Sequence, residues 1–157
     1  MLLVPMTEPE YQLFAERSVG AFAAARVAAG EWGADRSLQF AAKEFHGLLP
    51  DGLATPGHHL FTLRVEAGGP AVGTLWYAEQ LGGRTRTAFL YDIEILPAFQ
   101  RRGYGMEAML ALEADVVRRG LTGIGLRVFG HNRTALALYE RAGYVATSIA
   151  MFKPLAG

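Results

Sequence analysis

Gln100-Arg101-Arg102-Gly103-Tyr104-Gly105 is the stretch of this 157-residue sequence that decides the fold. It follows an apolar run that ends before Pro97, and it precedes residues 105–119, whose apolar side chains recur at helical spacing. A strand, a glycine-rich turn and a helix are therefore predicted in that order. The helix joins two predicted strands, residues 85–96 and 122–129, into a βαβ unit, which requires the two strands to be parallel.

The rest of the chain surrounds this unit with further elements. Before it we predict a short N-terminal strand, helices over residues 8–29 and 38–49, and strands over residues 60–65 and 71–79. After it we predict a helix that Asn132 caps and a final strand over residues 144–153. The predicted fold class is α/β (α+β): a mixed, mostly antiparallel central sheet with a parallel βαβ unit and helices on both faces. Residues 1–157 are expected to form a single domain.

The composition excludes several classes of function. Fifteen basic and fifteen acidic residues balance, so the bulk charge draws the chain neither to nucleic acid nor to an anionic membrane. The absence of cysteine excludes disulfides, thiolate metal sites and a cysteine nucleophile. His58 and His59 lack metal-ligand spacing with a second cluster, so no metal is predicted. No run approaches the roughly 18 apolar residues of a membrane span, and we expect a cytoplasmic protein.

The glycine-rich turn has the properties of a site for a diphosphate. Such a group needs several backbone N–H donors, small residues where it approaches the chain, and the positive end of a helix dipole. Gly103 and Gly105 remove Cβ atoms, and Arg101 and Arg102 add positive charge. A turn with glycines used only for geometry is the alternative. A dinucleotide site is disfavoured, because residues 123–129 contain no acidic residue to bind a ribose.

The whole pattern resembles the GNAT superfamily of N-acetyltransferases. Four features carry the resemblance: the strand ending Asp92-Ile93-Glu94-Ile95-Leu96-Pro97, the turn quoted above, Asn132 at a helix start, and Tyr139 followed by Arg141-Ala142-Gly143-Tyr144. The first two match the family's signature, Q/R-x-x-G-x-G/A after a strand that ends in proline. The similarity is firm over residues 85–152 and weak before them.

The resemblance implies acetyl-CoA as the donor. Its pyrophosphate would bind the amides of residues 101–106, and its pantetheine arm would lie along a strand edge, in a wedge between two splayed parallel strands. A backbone amide near Ile95 would polarise the thioester carbonyl. The cofactor-binding residues implied in this way are Ile93, Ile95, Leu96, Gln100, Arg101, Arg102, Gly103, Tyr104, Gly105, Met106 and Asn132.

The resemblance also implies catalytic roles. Tyr139 is similar to the family's tyrosine that protonates the departing thiolate, whereas its spacing alone favours packing on the helix inner face. Asp92 and Glu94 alternate along one strand face, so either carboxylate could serve the acceptor side, and a solvated face is the alternative. We predict Glu94 as the second catalytic residue and leave open Asp92, a histidine or water as the base. A family glutamate on the neighbouring strand is replaced here by Arg127.

These patterns predict direct transfer of an acetyl group from acetyl-CoA to an acceptor amine, in a small molecule or a protein or peptide. The alternative from another class is a non-catalytic acyl-CoA-binding regulatory module. A homodimer stays open, because dimers are common in the family.

Overall fold

The computed structural model describes residues 1–156. Its strands are β1 (Leu2–Pro5), β2 (His58–Arg64), β3 (Ala71–Gln80), β4 (Thr87–Ile95) and β5 (Ile124–Leu126). Its α-helices are α1 (Glu8–Ala28), α2 (Ser37–Leu48), α3 (Tyr104–Arg118) and α4 (Arg133–Arg141). All predicted helices and the first four predicted strands occur, with bounds shifted by only a few residues. No helix in residues 1–156 is long and apolar enough to cross a bilayer.

The strands form one mixed sheet in the order β1-β2-β3-β4-β5. Neighbouring strands from β1 to β4 are antiparallel, whereas β5 lies parallel to β4. Helix α3 connects the parallel pair, as a crossover between parallel strands requires. The position of the turn before α3 is therefore fixed at the carboxyl end of β4.

Successive side chains of β3 point to opposite faces of this sheet, and each face has its own apolar cluster. The Trp76 ring meets the Phe14 ring of α1 edge-on, with 6.2 Å between centroids. Leu75, one residue earlier, points to the other face and packs in an apolar cluster with Met109 and Leu112 of α3. Helices α1 and α2 thus cover one face, and α3 and α4 cover the other. The predicted fold class is confirmed.

A β-bulge interrupts the pairing of β3 with β4 near the middle of both strands. Trp76 lies opposite Asp92, whereas the next residue, Tyr77, lies opposite Leu90, so Tyr91 has no partner in the ladder. The parallel pairing of β4 with β5 ends at Leu90, the residue before the bulge. Because a bulge bends and twists its strand, the second half of β4 leaves β5 and an opening forms between them.

The C-terminal part of the chain departs from the prediction. The strand predicted over residues 122–129 is limited to β5, and the strand predicted over residues 144–153 does not form. Residues 145–156 are all exposed and pair with no strand of the described chain. A strand is stabilised only by hydrogen bonds to a neighbouring strand, and the backbone of this segment makes none within residues 1–156.

Candidate active site

The turn between β4 and α3 is held by local contacts. Residues Pro97–Phe99 form a 3-10 turn directly after the strand. The Gln100 side-chain amide donates to the Ile95 carbonyl oxygen at 2.9 Å, which ties the turn back to the end of β4. Gly103 has φ of 81° and precedes the first residue of α3. Only a residue without Cβ adopts this conformation at low cost, so the glycine is required by the backbone.

The turn presents a run of free backbone donors. None of the amides of residues 101–106 donates a hydrogen bond to another group within residues 1–156. The first intrahelical donor nearby is Glu107, whose amide reaches the Gly103 carbonyl oxygen at 3.2 Å. Unpaired N–H groups at a helix start carry the positive end of its dipole. The turn can therefore bind an anion with several oxygen atoms.

Two arginines flank these donors. Arg101 is exposed and has φ of 64°, the one non-glycine residue with positive φ in the described chain. The Arg102 guanidinium lies 5.6 Å from the centroid of the Phe99 ring. This cation–π contact keeps the Arg102 side chain, which forms no ion pair in the described residues, alongside the turn. Both side chains add positive charge beside the free amides.

Gly105 also lies close to α4. A Cβ at this position would lie 3.2 Å from a methyl group of Leu138 on α4. The glycine thus lets the first turn of α3 pack closely against α4. This contact joins the two helices that carry the predicted anion site and the predicted tyrosine.

The end of β4 exposes backbone groups to the opening. The Leu96 amide donates to the Val72 carbonyl oxygen of the neighbouring antiparallel segment at 2.9 Å. Successive amides of a strand point to opposite edges, so the Ile95 N–H points away from β3 and into the opening. Ile93 and Ile95 also pack against the cluster beneath α3. An N–H donor and two apolar side chains therefore line this part of β4.

The two carboxylates of β4 share the sheet face covered by α1, but their surroundings differ. Glu94 forms an ion pair with Arg17 of α1, with 3.1 Å between Oε2 and Nε, and both side chains are more than a third exposed. Burial, together with the charge of Glu94, raises the pKa of Asp92 from 3.8 to about 7. Arg17 opposes this shift in the pKa. Asp92 is thus the carboxyl group that changes charge near neutral pH.

Tyr139 lies on α4 and is half-buried against the cluster under α3. Burial, and in second place the negative charge of Asp92, raises the pKa of its hydroxyl to about 12. The phenol therefore keeps its proton at neutral pH. Its ring centroid is 6.1 Å from that of Tyr144, whose pKa is also raised to about 12, mainly by burial.

Asn132 and two of the histidines, which the sequence also offers as candidate site residues, make structural contacts. Asn132 caps α4, because its side-chain oxygen accepts from the Ala135 amide at 3.2 Å. His58 accepts a hydrogen bond from the Trp76 indole at 3.0 Å, and His59 contacts Glu79 at 2.7 Å. Within residues 1–156 no group of three potential ligands could hold a metal ion.

The chain also matches the model of a known family. The model of the acetyltransferase (GNAT) family matches residues 23–144, which include the opening, the free amides and Tyr139. The chain belongs to the GNAT acetyltransferase family.

Relatives within the GNAT family extend over the whole chain. The chain is 32% identical to the uncharacterized N-acetyltransferase YycN of Bacillus subtilis over 155 residues, 99% of each chain. The crystal structure of YycN superposes with a TM-score of 0.95, again over 99% of both chains. YdgE of the same organism is 30% identical over 98% of this chain and 97% of its own. The [ribosomal protein bS18]-alanine N-acetyltransferase of Salmonella typhimurium is 37% identical over 62 residues, 40% of this chain and 42% of its own.

Three site features of this GNAT chain had no sequence signal. Arg17 and Glu94 are 77 positions apart, and neither lies in a motif that predicts their ion pair. The bulge at Tyr91 follows from strand register, and the contact of Gly105 with Leu138 follows from helix packing. Only the alternation of two carboxylates could have drawn attention to Asp92 in advance.

Proposed function

We propose that this chain transfers an acetyl group from acetyl-CoA directly to a primary amine. The observation that carries the proposal is the run of unpaired amides at residues 101–106, located where β4 leaves β5. A pyrophosphate needs several such donors, and a thioester arm needs an adjacent apolar slot. GNAT membership agrees with this donor.

Acetyl-CoA would be held by groups that the fold leaves free. The amides of residues 101–106, with Arg101 and Arg102, would bind the pyrophosphate. Ile93, Ile95 and Leu96 would line the pantetheine arm along β4, and the Asn132 side-chain amide nitrogen is available to it because only the oxygen is used in capping. Gln100 supports the turn indirectly through its bond to the Ile95 carbonyl oxygen.

We assign the base to Asp92, and Glu94 stays a prediction for a second carboxylate at the acceptor. As a carboxylate, Asp92 accepts a proton from the acceptor ammonium, because its raised pKa of about 7 makes it a better base than an ordinary aspartate. The freed amine nitrogen then bonds to the thioester carbonyl carbon. The Ile95 N–H stabilises the negative charge on the carbonyl oxygen.

Tyr139 completes the reaction as the acid. As the carbon–sulfur bond breaks, the Tyr139 hydroxyl donates its proton to the leaving sulfur. The second proton that the attacking nitrogen must lose returns to the Tyr139 oxygen, so that an amide, the CoA thiol and a neutral Tyr139 remain. The charge of Asp92 raises the pKa of Tyr139. Once Asp92 has taken the proton from the amine, that charge is gone, and the phenol becomes more acidic when the sulfur needs its proton.

The acceptor amine would approach from the face of the sheet that α1 and α2 cover, since Asp92 and Glu94 lie there. Small-molecule amines and peptide N-termini are both acceptors of this chemistry. The partial match to an enzyme that acetylates an alanine of ribosomal protein bS18 supports including alanine-starting peptides in a screen.

Replacing Tyr139 tests the proposal. We expect Tyr139→Phe to lower kcat by about 10²–10⁴-fold, the usual contribution of a positioned acid, while acetyl-CoA binding by calorimetry is unchanged. Tyr144→Phe is the matched control, because Tyr144 has a similarly raised pKa and lies beside Tyr139. Turnover is measured as CoA thiol released in the presence of an amine.

Two results would count against the proposal. If Tyr139→Phe keeps full turnover, the acid is another group. If wild-type protein binds acetyl-CoA tightly but acetylates no amine in a broad screen, the chain is an acyl-CoA-binding module instead of an enzyme.

A further inference from the structure

Helix α1 contacts both walls of the opening, which are β4 on one side and β5 with the following residues 127–131 on the other. On the first wall, Arg17 of α1 pairs with Glu94 at 3.1 Å. Arg26 lies about 13 Å further along the helix axis, and its guanidinium carbon is 6.0 Å from the centroid of the Phe129 ring. Because Phe129 belongs to the second wall, α1 crosses the opening from one wall to the other.

Aromatic rings and carboxylates surround the Arg26 guanidinium. Its carbon lies 4.7 Å from the ring centroid of Phe22 on α1 and 5.1 Å from that of Trp32, which follows the helix. Its terminal nitrogens pair with Glu31 at 2.7 Å and Glu44 at 3.3 Å. A planar guanidinium suits these surroundings, because its faces stack on rings while its edge donates to carboxylates. The side chain is therefore fixed in the position from which it reaches the second wall.

The two walls are held to α1 in different ways. On the side of β4, the Phe14 ring of α1 packs against Trp76 within the apolar cluster beneath the helix. On the side of β5, the strand pairing ends at Leu126, and Phe129 belongs to neither apolar cluster of the core. The contact with Arg26 therefore holds the second wall to α1 at a place that the core does not reach.

The segment that Arg26 contacts leads directly to α4. The Asn132 amide donates to the Phe129 carbonyl oxygen at 2.9 Å, and the Asn132 side chain caps α4. Tyr139 lies on α4, whereas Asp92 lies on β4. A helix that is held to both walls thus fixes the distance between these two groups.

We propose that Arg26 is a positioning residue, which holds the second wall to α1 and so sets the separation of Tyr139 from Asp92. Arg26 acts through Phe129 and not on the reacting atoms. Its effect on catalysis rests on the proposed function, whereas its effect on the width of the opening does not.

The width of the opening is measured first, in a chain that has no native cysteine. Ala98→Cys after β4 and Ala137→Cys on α4 are exposed positions for spin labels, and electron paramagnetic resonance gives the distribution of distances between them. Arg26→Met should broaden this distribution, because it removes the cation and keeps an unbranched side chain. Arg36→Met is the matched control, at an exposed arginine between α1 and α2, and should leave the distribution unchanged. An unchanged distribution in Arg26→Met would overturn the proposal.

Turnover and cofactor binding then distinguish positioning from a general loss of structure. Arg26→Met should lower kcat by about tenfold or more, because a small displacement of reacting groups is costly. The Kd for acetyl-CoA should change far less, since the amides of residues 101–106 stay in place. Equal losses in kcat and in affinity for acetyl-CoA would contradict a positioning role.

A double-mutant cycle identifies Phe129 as the partner through which Arg26 acts. Phe129→Leu should reproduce the broader distance distribution and the lower kcat, and its combination with Arg26→Met should be no slower than the slower single variant. Phe22→Leu, which removes a ring of α1 itself, should have the smaller effect on both quantities. Additive losses in the double variant, or equal losses in Phe22→Leu and Phe129→Leu, would overturn the proposal. A chain that acetylates no amine contradicts the proposed function, but the distance distributions still decide whether Arg26 sets the width of the opening.

Discussion

At the scale of single residues, burial and two neighbouring charges together set the pKa of the Asp92 carboxyl group. Asp92 and Glu94 are two residues apart on β4, and the pKa of Asp92 is raised to about 7 because this carboxyl group is desolvated by burial and lies beside the charge of Glu94. Arg17 acts in the opposite direction on the same pKa. The two neighbours therefore tune one base with opposite signs.

This opposition predicts opposite shifts in the pH dependence of turnover. The base must be ionised, so kcat/KM should rise with pH through the pKa of Asp92, near pH 7. Arg17→Gln removes a stabilising positive charge and should shift this limb to higher pH. Glu94→Gln removes a negative charge and should shift it to lower pH. The pH profiles of both variants test the assignment, and a limb that neither change moves would rule Asp92 out as the base.

At the scale of elements, helix α3 has a left-handed glycine at each end with a different role. Gly103 precedes the helix with φ of 81°, and Gly120 follows it with φ of 76°. A Cβ would meet no atom within 4 Å at either place, so alanine is strained only by its backbone at both positions. Comparing substitutions at Gly103 and Gly120 therefore distinguishes the conformational cost of a left-handed residue from the function of the turn before α3.

Alanine at these two glycines gives the corresponding prediction. Each substitution should lower the free energy of unfolding by roughly 1–2 kcal/mol, the usual cost of a left-handed residue with a Cβ. Only Gly103→Ala should also raise the Kd for acetyl-CoA, because relaxation of that strain moves the free amides. Thermal or urea unfolding and calorimetry measure the two effects. Equal affinities in both variants would separate the turn from cofactor binding.

At the scale of the whole molecule, one polar contact connects the sheet to the helix layer over it. The buried Tyr77 hydroxyl on β3 donates to the Asp115 carboxylate on α3, and Arg119 reaches the same carboxylate at 3.0 Å. Burial works against ionisation of Asp115, but the Tyr77 hydrogen bond and Arg119 outweigh it and hold its pKa below the ordinary value. The contact therefore stabilises the fold wherever Asp115 is charged.

Removing the Tyr77 hydroxyl should destabilise the molecule. Tyr77→Phe is expected to cost roughly 1.5–3 kcal/mol at neutral pH, the usual range for a hydrogen bond to a charged group. Because the folded-state pKa of Asp115 is lowered, the contribution is full above its ordinary pKa of 3.8 and declines in more acidic solution. Tyr144→Phe is the control, since the Tyr144 hydroxyl is buried without a partner and its loss should cost little. Urea unfolding at pH 7 and pH 3 compares the two.

Local patterns in the sequence predicted most elements, because strands and helices bury faces whose periodicity is visible in the chain. The turn at residues 100–105 predicted a strand, an anion site and a helix, and the fold of that region was confirmed. The strand predicted over residues 144–153 was wrong, because no strand forms after β5 in residues 1–156. Its composition is that of a strand, but composition cannot supply the neighbouring edge that a strand needs.

The sequence by itself determined the order of elements, the mixed sheet and the family to which the chain belongs, because glycines, caps and apolar periods act over a few residues. Only the tertiary structure decided which groups raise the pKa of Asp92, where the bulge opens β4 from β5, and that Gly105 lies against Leu138. Each of these depends on groups far apart in sequence, as Arg17 and Glu94 are. Their distances and burial exist only once α1, β4 and α4 have packed on one sheet.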